Sequence, residues 1–171
     1  MSKMSAVPKA EVSIASAGSM CLLPLGRVMG IDYGTRRVGI SMSDPSQTIA
    51  SPLTTLEYRR ETDLVHALLD LVRIHEVIAI VVGWPLNMNG VVGDKTAAVE
   101  RFIKTISEQI DLPVFSWDER WSTVSAHRAL REWGISPSKN KARVDAIAGA
   151  LILDAFLQRL RLLRQTQQTS G

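Results

Sequence analysis

The sequence predicts an α/β domain with a mixed five-stranded sheet and helices on both faces of the sheet. Its length, 171 residues, suits a single hydrophobic core. An antiparallel hairpin pattern opens the domain near Arg27, and helical and strand patterns alternate after it. The run Val77–Val82 is continuous and rich in β-branched residues, as is typical of strands covered on both faces by helices.

The hairpin is predicted from two runs separated by a Gly-containing turn. Arg27–Tyr33 forms the first strand, and Val38–Ser43 alternates apolar and small polar residues with period two. A third short strand is predicted at Leu53–Glu57. Apolar residues then recur at helical spacing from Leu64 to about His75, after acidic residues that suit a helix N-terminus.

Helical and strand patterns also alternate beyond the central strand. The predicted elements are a loop at Trp84–Gly93, a helix around Ala97–Ile106, a strand at Pro113–Trp117, a helix at Ser122–Trp133 and a final helix from Ala142 to about Leu163. Apolar residues surround most of the final helix, which predicts burial, and Asn140 could cap it.

Three segments follow from these patterns. Residues 1–26 are predicted to be a flexible N-terminal extension, residues 27–163 the folded domain, and residues 164–171 a flexible C-terminal tail. Serines interrupt the apolar residues of the extension, which does not resemble a secretory signal. Apolar runs are far shorter than the roughly 20 residues of a membrane-spanning helix. We expect a cytoplasmic protein that does not contact membranes.

Composition adds little about partners. The single Cys21 cannot form an intramolecular disulfide, and no Cys/His spacing indicates a zinc site. A net charge of +3 and a pI near 9.3 permit an anionic partner.

Acidic residues fall where strands of the predicted sheet end. Asp32 closes the first strand, and Asp118 and Glu119 follow the strand that ends at Trp117. Ligands of such sheets gather at the carboxyl ends of the strands, which predicts a shared site. Asp145 lies in the early turns of the apolar final helix, where an ionised carboxylate needs a partner or a metal.

Clustered carboxylates repel one another unless a divalent cation neutralises them, and oxygen-only ligands favour Mg²⁺ or Mn²⁺. Two such ions can activate water and stabilise a leaving oxygen in phosphodiester cleavage. We therefore predict a metal-dependent nuclease. Its predicted catalytic residues are Asp32, Asp118, Glu119 and Asp145, and its predicted metal ligands are Asp32, Glu119 and Asp145. Which member of the Asp118–Glu119 pair faces inward stays open.

Each acid also has a purely structural explanation. Asp32 could cap the turn at Gly34. Asp118 and Glu119 could interact with the dipole of the helix beginning near Ser122, and Asp145 could be a solvated first-turn acid.

Basic residues predict a polyanionic substrate. Six Lys or Arg residues lie between positions 120 and 143 against one acid, Glu132. The loop Gly83–Gly93 carries glycines ahead of a helix N-terminus, a combination that suits a phosphate, although it lacks a P-loop motif. The predicted substrate-binding residues are Gly34, Arg36, Arg37, Asn87, Asn89, Arg120, Lys141 and Arg143.

Four ordered motifs resemble one family. They are Gly30–Ile40, Gly83–Gly90, Asp118–Arg120 and Asp145–Ala148, and together they closely resemble the YqgF/RuvX family of pre-16S rRNA nucleases, also described as Holliday-junction-resolvase-like. The resemblance covers about Arg27 to Leu160. Trp84 and Trp121 stand where the family usually has leucine, but no acid of the motifs is replaced.

The resemblance implies an RNase H-like fold, a bacterial cytoplasmic location and maturation of the 5′ end of 16S ribosomal RNA. It also points to Asp32, the Asp118–Glu119 pair and Asp145 as the acidic site. Precursor 16S rRNA is the expected partner of a monomer or homodimer. The alternatives are resolution of branched DNA by a symmetric dimer, a non-catalytic RNA-binding regulator, and half of a sugar-kinase or actin-like ATPase, for which the chain is short.

Overall fold

Six strands form one mixed sheet in the computed structural model, which describes residues 13–14, 20, 23–84, 93–118 and 141–169. The strands are β1 (Ser13–Ile14), β2 (Arg27–Tyr33), β3 (Arg37–Ser43), β4 (Ala50–Glu57), β5 (Val77–Trp84) and β6 (Val114–Asp118). Their order across the sheet is β1-β6-β5-β2-β3-β4. The first hairpin and β4 are antiparallel, whereas β2, β5, β6 and β1 run parallel. The predicted mixed five-stranded sheet is confirmed, and β1 extends it at one edge.

Helices cover both faces of this sheet. The described helices are α1 (Glu61–Ile74), α2 (Asp94–Gln109) and α3 (Lys141–Thr169). On one face, α1 and α2 pack on a cluster that includes Met29, Ile31 and Ile80. On the other, α3 packs on Val28 and Val81. We call these the α1–α2 face and the α3 face. None of the helices in the described part of the chain has the length and apolarity needed to cross a membrane.

The predicted elements agree with the structure except at their ends. The strand predicted at Leu53–Glu57 begins at Ala50, and the predicted helices begin a few residues earlier, at Glu61 and Asp94. Polar first turns carry no apolar period, and this hides the starts of helices from sequence patterns. The helix predicted at Ser122–Trp133 and the Asn140 cap lie outside the described residues.

Parts of both predicted tails pack on the domain. In β1, Ser13 and Ile14 pair with Phe115 and Ser116 of β6. Met20 is buried against α3, and the last helix continues to Thr169. Segments within residues 1–26 and 164–169 are therefore part of the sheet, the core or the last helix.

A hydrogen-bond network explains why the two ends are ordered. The guanidinium of Arg164 donates to the carbonyl of Leu23 at 2.7 Å and to Oε1 of Gln47 at 2.8 Å. The Gln47 amide donates in turn to the carbonyls of Pro24 and Gly26, at 2.8 and 3.0 Å. Long-range polar contacts of this kind leave no periodic signal in the sequence.

The α3 helix crosses the β2–β3 hairpin at very short range because glycines lie at the crossing. A Cβ atom at Gly39 would overlap the carbonyl oxygen of Asp145, and one at Gly30 would lie 2.7 Å from Cβ of Leu153. The helix contributes Gly149, where a Cβ atom would lie 3.1 Å from the Gly39 carbonyl oxygen. Removing side chains at such positions allows helix and sheet backbones to approach. The crossing therefore sets the height of Asp145 above the sheet.

We expect Gly39→Ala to destabilise the domain by about 1–3 kcal/mol or more, because the added methyl group overlaps helix backbone that has no room to move. Gly149→Ala is the matched control: its methyl group meets a looser contact and gains helix propensity of about 1 kcal/mol. Urea unfolding of both variants measures the difference. Equal losses of unfolding free energy would contradict the close-crossing interpretation.

Candidate active site

Asp32 lies at the carboxyl end of β2 with its side chain on the α3 face. Its antiparallel partner is Gly39 of β3, and residues directly opposite one another share a face. The preceding residue Ile31 pairs with Val82 of β5 and packs on the α1–α2 face, which places Asp32 beside Gly83. Both neighbours of Asp32 on the adjacent strands are therefore glycines, and the backbone of α3 fills the space above Gly39.

Asp145 lies in the first turns of α3, directly over this part of the sheet. Its backbone contacts Gly39, the strand partner of Asp32. At the start of the helix, the Thr55 hydroxyl of β4 donates to the carbonyl of Ala142 and anchors this end of α3 to the sheet. Two acids that are 113 positions apart in the sequence (145 − 32) are thus brought to one place.

Arg37 provides the cation that Asp145 needs. Its Nε lies 3.3 Å from Oδ2 of Asp145, and the two side chains are 35% and 29% exposed. This partial burial strengthens the pair relative to a fully solvated one. The prediction that a carboxylate on so apolar a helix requires a partner is met by an arginine from the turn end of β3.

The pKa of Asp32 is raised above its ordinary value. Desolvation by the surrounding protein is the largest cause, and repulsion from Asp145 adds to it. The charge of Lys95 acts in the opposite direction and lowers the pKa. Two carboxylates in mutual repulsion, with two cations beside them, form the electrostatic core of the site.

Lys95 was not predicted as a site residue. It occupies the second position of α2, where the helix N-terminus reaches the same end of the sheet. The loop before α2 was predicted to bind phosphate, but the sequence contains no signal that this particular lysine approaches Asp32. Only the packing of α2 beside the central strands brings the charges together.

Asp118 ends β6 on the opposite face of the sheet from Asp32. It pairs in register with Trp84, which packs on the α1–α2 face, whereas its neighbour Trp117 packs edge-on against Phe156 of α3. Alternation therefore carries the Asp118 side chain away from α3. The structure brings Asp32 and Asp145 together and directs Asp118 elsewhere.

The remaining predicted residues divide into three groups. Gly34, Arg36 and Arg37 lie in or beside the β2–β3 turn, near the acids. Arg143 is exposed in the first turn of α3, and the backbone of Lys141 begins that helix. The predicted residues that lie outside the described part of the chain are Asn87, Asn89, Glu119 and Arg120.

The donor set agrees in type with a hard divalent cation. Asp32 and Asp145 offer carboxylate oxygens whose repulsion a cation would relieve, as the raised pKa of Asp32 indicates. Within the described ranges, no three His, Cys, Asp or Glu side chains lie close enough together to hold an ion. The predicted third ligand, Glu119, is outside those ranges.

A mixed sheet with this strand order and with helices on both faces defines an RNase H-like fold. The sequence model of the RuvX family, described as Holliday junction resolvase, matches residues 26–159. The chain belongs to this family.

Relatives support the assignment over most of the chain. A protein of Roseiflexus sp. is 41% identical over 136 residues, which are 80% of this chain and 96% of the relative. A protein of Agrobacterium fabrum is 38% identical over 142 residues, 83% of this chain and 89% of the relative. Both carry the name "Putative pre-16S rRNA nuclease".

Solved structures share the fold. RuvC of Thermus thermophilus in complex with a Holliday junction superposes with a TM-score of 0.52 at 16% identity, over 79% of this chain and 96% of that one. The yeast mitochondrial Holliday junction resolvase Ydc2 superposes with a TM-score of 0.52 at 12% identity, over 91% of this chain and 90% of that one. The predicted RNase H-like fold is therefore confirmed.

The raised pKa of Asp32 predicts how stability depends on pH. The folded protein holds this proton to higher pH than the unfolded chain does, so ionisation of Asp32 lowers stability as pH rises above 3.8 towards the folded pKa. With a chelator present, we expect Asp32→Asn to have a higher free energy of unfolding than the wild type at pH 7, because the variant has no charge to desolvate at this position.

The advantage of Asp32→Asn should disappear below about pH 3, where both side chains are neutral. Urea unfolding of both proteins from pH 3 to 8 measures the difference in their free energies of unfolding. The control is Asp70→Asn, which removes an exposed carboxylate paired with Arg73 and should change stability by at most about 1 kcal/mol. A wild type more stable than Asp32→Asn at pH 7 would refute the desolvation argument.

Proposed function

We propose that the protein is a metal-dependent endonuclease that processes the 5′ end of precursor 16S rRNA in the bacterial cytoplasm. The observation that carries the proposal is the placement of Asp32 and Asp145 together at the carboxyl end of the sheet, with Arg37 in contact with Asp145 and the charge of Lys95 acting on Asp32. The substrate is proposed from the names of the relatives, which cover most of this chain.

The site suits phosphodiester hydrolysis. Asp32 and Asp145 would hold Mg²⁺ or Mn²⁺, and the chemistry such ions supply is activation of water and stabilisation of the leaving oxygen. Arg37 and Lys95 carry positive charge at the same end of the sheet, where the phosphate of a bound strand needs it.

Glu119 is proposed as the third carboxylate. The register of β6 turns Asp118 towards the α1–α2 face, so its side chain does not join the acids on the α3 face. The next residue in the chain is the remaining acid of the motif. This choice replaces the open alternative between Asp118 and Glu119.

Resolution of branched DNA is the second candidate. The family description names Holliday junction resolvase, and such an activity requires a symmetric dimer to cut two strands. Cleavage of a four-way DNA junction and of a precursor rRNA fragment, measured in parallel, separates the two substrates. Cutting of the junction alone would overturn the rRNA proposal.

Asp32→Asn should reduce the cleavage rate by at least about 1,000-fold. When catalytic residues act together, an enzyme that lacks one of them loses most of its activity. RNA binding should change little. The measurement is single-turnover cleavage of a precursor 16S rRNA fragment alongside equilibrium binding of the same RNA.

Asp70→Asn serves as the matched control, since it removes the same charge from an exposed position on α1. It should cleave at the wild-type rate. Undiminished cleavage by a purified Asp32→Asn protein would refute the assignment of the acidic site.

Metal binding can be tested without activity. Adding Mg²⁺ or Mn²⁺ at about 100 times its dissociation constant should stabilise the wild type by about 2.7 kcal/mol, whereas Asp32→Asn/Asp145→Asn should gain far less. Thermal unfolding with and without metal gives the difference. Equal gains in both proteins would place the ion elsewhere.

A further inference from the structure

A groove of about 1020 Å³ lies beside the acidic site, on the outer side of the β2–β3 turn. Arg36 and Arg37 line it from the hairpin, and Tyr58 and Arg59 line it from the segment that joins β4 to α1. Its volume exceeds what a single phosphate group requires. Of its arginines, Arg36 and Arg37 were predicted to bind substrate, whereas Arg59 was not.

The walls of the groove are held at a fixed separation. The Tyr58 hydroxyl donates to the carbonyl of Gly34 at 2.7 Å, and the Tyr58 amide donates to the carbonyl of Arg36 at 3.2 Å. The Tyr58 ring lies 6.4 Å from that of Tyr33, which stacks on Phe102 in the core with ring centroids 4.3 Å apart. The arginines therefore project from a rigid base.

Charge in the groove is positive once its ion pairs are counted. The acid Asp63 accepts two bonds from Arg60, at 3.1 and 2.9 Å. Arg37 is paired with Asp145. This leaves the exposed side chains of Arg36 and Arg59 facing a single carboxylate, that of Glu57, among the described lining residues.

The groove is continuous with the acidic site through Arg37. That side chain lines the groove and contacts Asp145, so a strand lying over Asp32 and Asp145 can continue into the groove without leaving the surface. Arginine forks match the geometry of phosphate oxygens, so Arg36 and Arg59 suit contacts to the backbone of a strand.

We propose that this groove binds the sugar-phosphate backbone of the RNA substrate beyond the point of cleavage, with Arg36 and Arg59 as its phosphate contacts. The inference rests on the proposed function for the identity of the strand. Contacts of this kind position a substrate without reading its sequence. They also make its affinity depend on salt, because bound counterions are released.

The test is equilibrium binding of a labelled precursor 16S rRNA fragment to the full chain, with a chelator present, at several salt concentrations. We expect Arg36→Ala/Arg59→Ala to weaken binding about tenfold or more. We also expect the slope of log affinity against log salt to become shallower by about 1.4–1.8, the contribution of two phosphate contacts. Arg36→Lys/Arg59→Lys keeps the charge and should retain the wild-type slope.

The matched control is Arg73→Ala/Arg101→Ala, which removes the same charge from exposed positions on α1 and α2. It should bind within about twofold of the wild type. In steady-state cleavage, Arg59→Ala should raise KM more than it lowers kcat, as expected of a residue that binds the strand outside the reacting phosphate. Thermal unfolding confirms that the variants are folded.

Wild-type affinity and slope in the Arg36→Ala/Arg59→Ala protein would overturn the groove proposal, as would absence of salt-dependent RNA binding by the wild type. These outcomes are distinct from failure of the proposed function. If RNA binding depends on Arg36 and Arg59 but the wild type cuts no RNA, the groove stands and the nuclease proposal fails.

Discussion

The structure depends on the close crossing of α3 over the β2–β3 hairpin. Helix and strand backbones approach at Gly39 and Gly149 more closely than a pair of side chains would allow. Asp145 takes part in this contact through its backbone. The packing that holds the helix on the sheet therefore also fixes the position of Asp145 in the acidic site. A helix held further from the sheet would bury less apolar surface and would separate Asp145 from Asp32.

The two carboxylates of the acidic site repel each other, and nearby cationic side chains offset part of this repulsion. Asp32 is desolvated and repelled by Asp145, which raises its pKa, while Lys95 and Arg37 offset part of the repulsion. Such arrangements are typical of functional sites, where groups are kept in a state that a ligand relieves. Positive charge on the hairpin and at the start of α2 also suits an anionic strand, so these cations both stabilise the acids and favour the substrate.

The hairpin links the site to the surface around it. Asp32 lies on one of its strands and Arg37 on the other, and the turn between them is tied to Tyr58 by two hydrogen bonds. Residues that contact Asp145, a buried aromatic ring and the groove are thus held within a few positions of the chain.

The sequence by itself determined the order of elements, the mixed sheet and the family, because apolar periodicity and short motifs are local properties of the chain. Only the tertiary structure decided which charges interact: that of Lys95 lowers the pKa of Asp32, Arg37 pairs with Asp145, and Asp118 turns to the other face. It also showed that Met20 and Arg164, assigned to the ends by their lack of periodicity, are packed or bonded to the domain. Contacts between distant segments depend on strand register and on the distance of a helix from a sheet. Neither can be predicted from the spacing of residues within one segment.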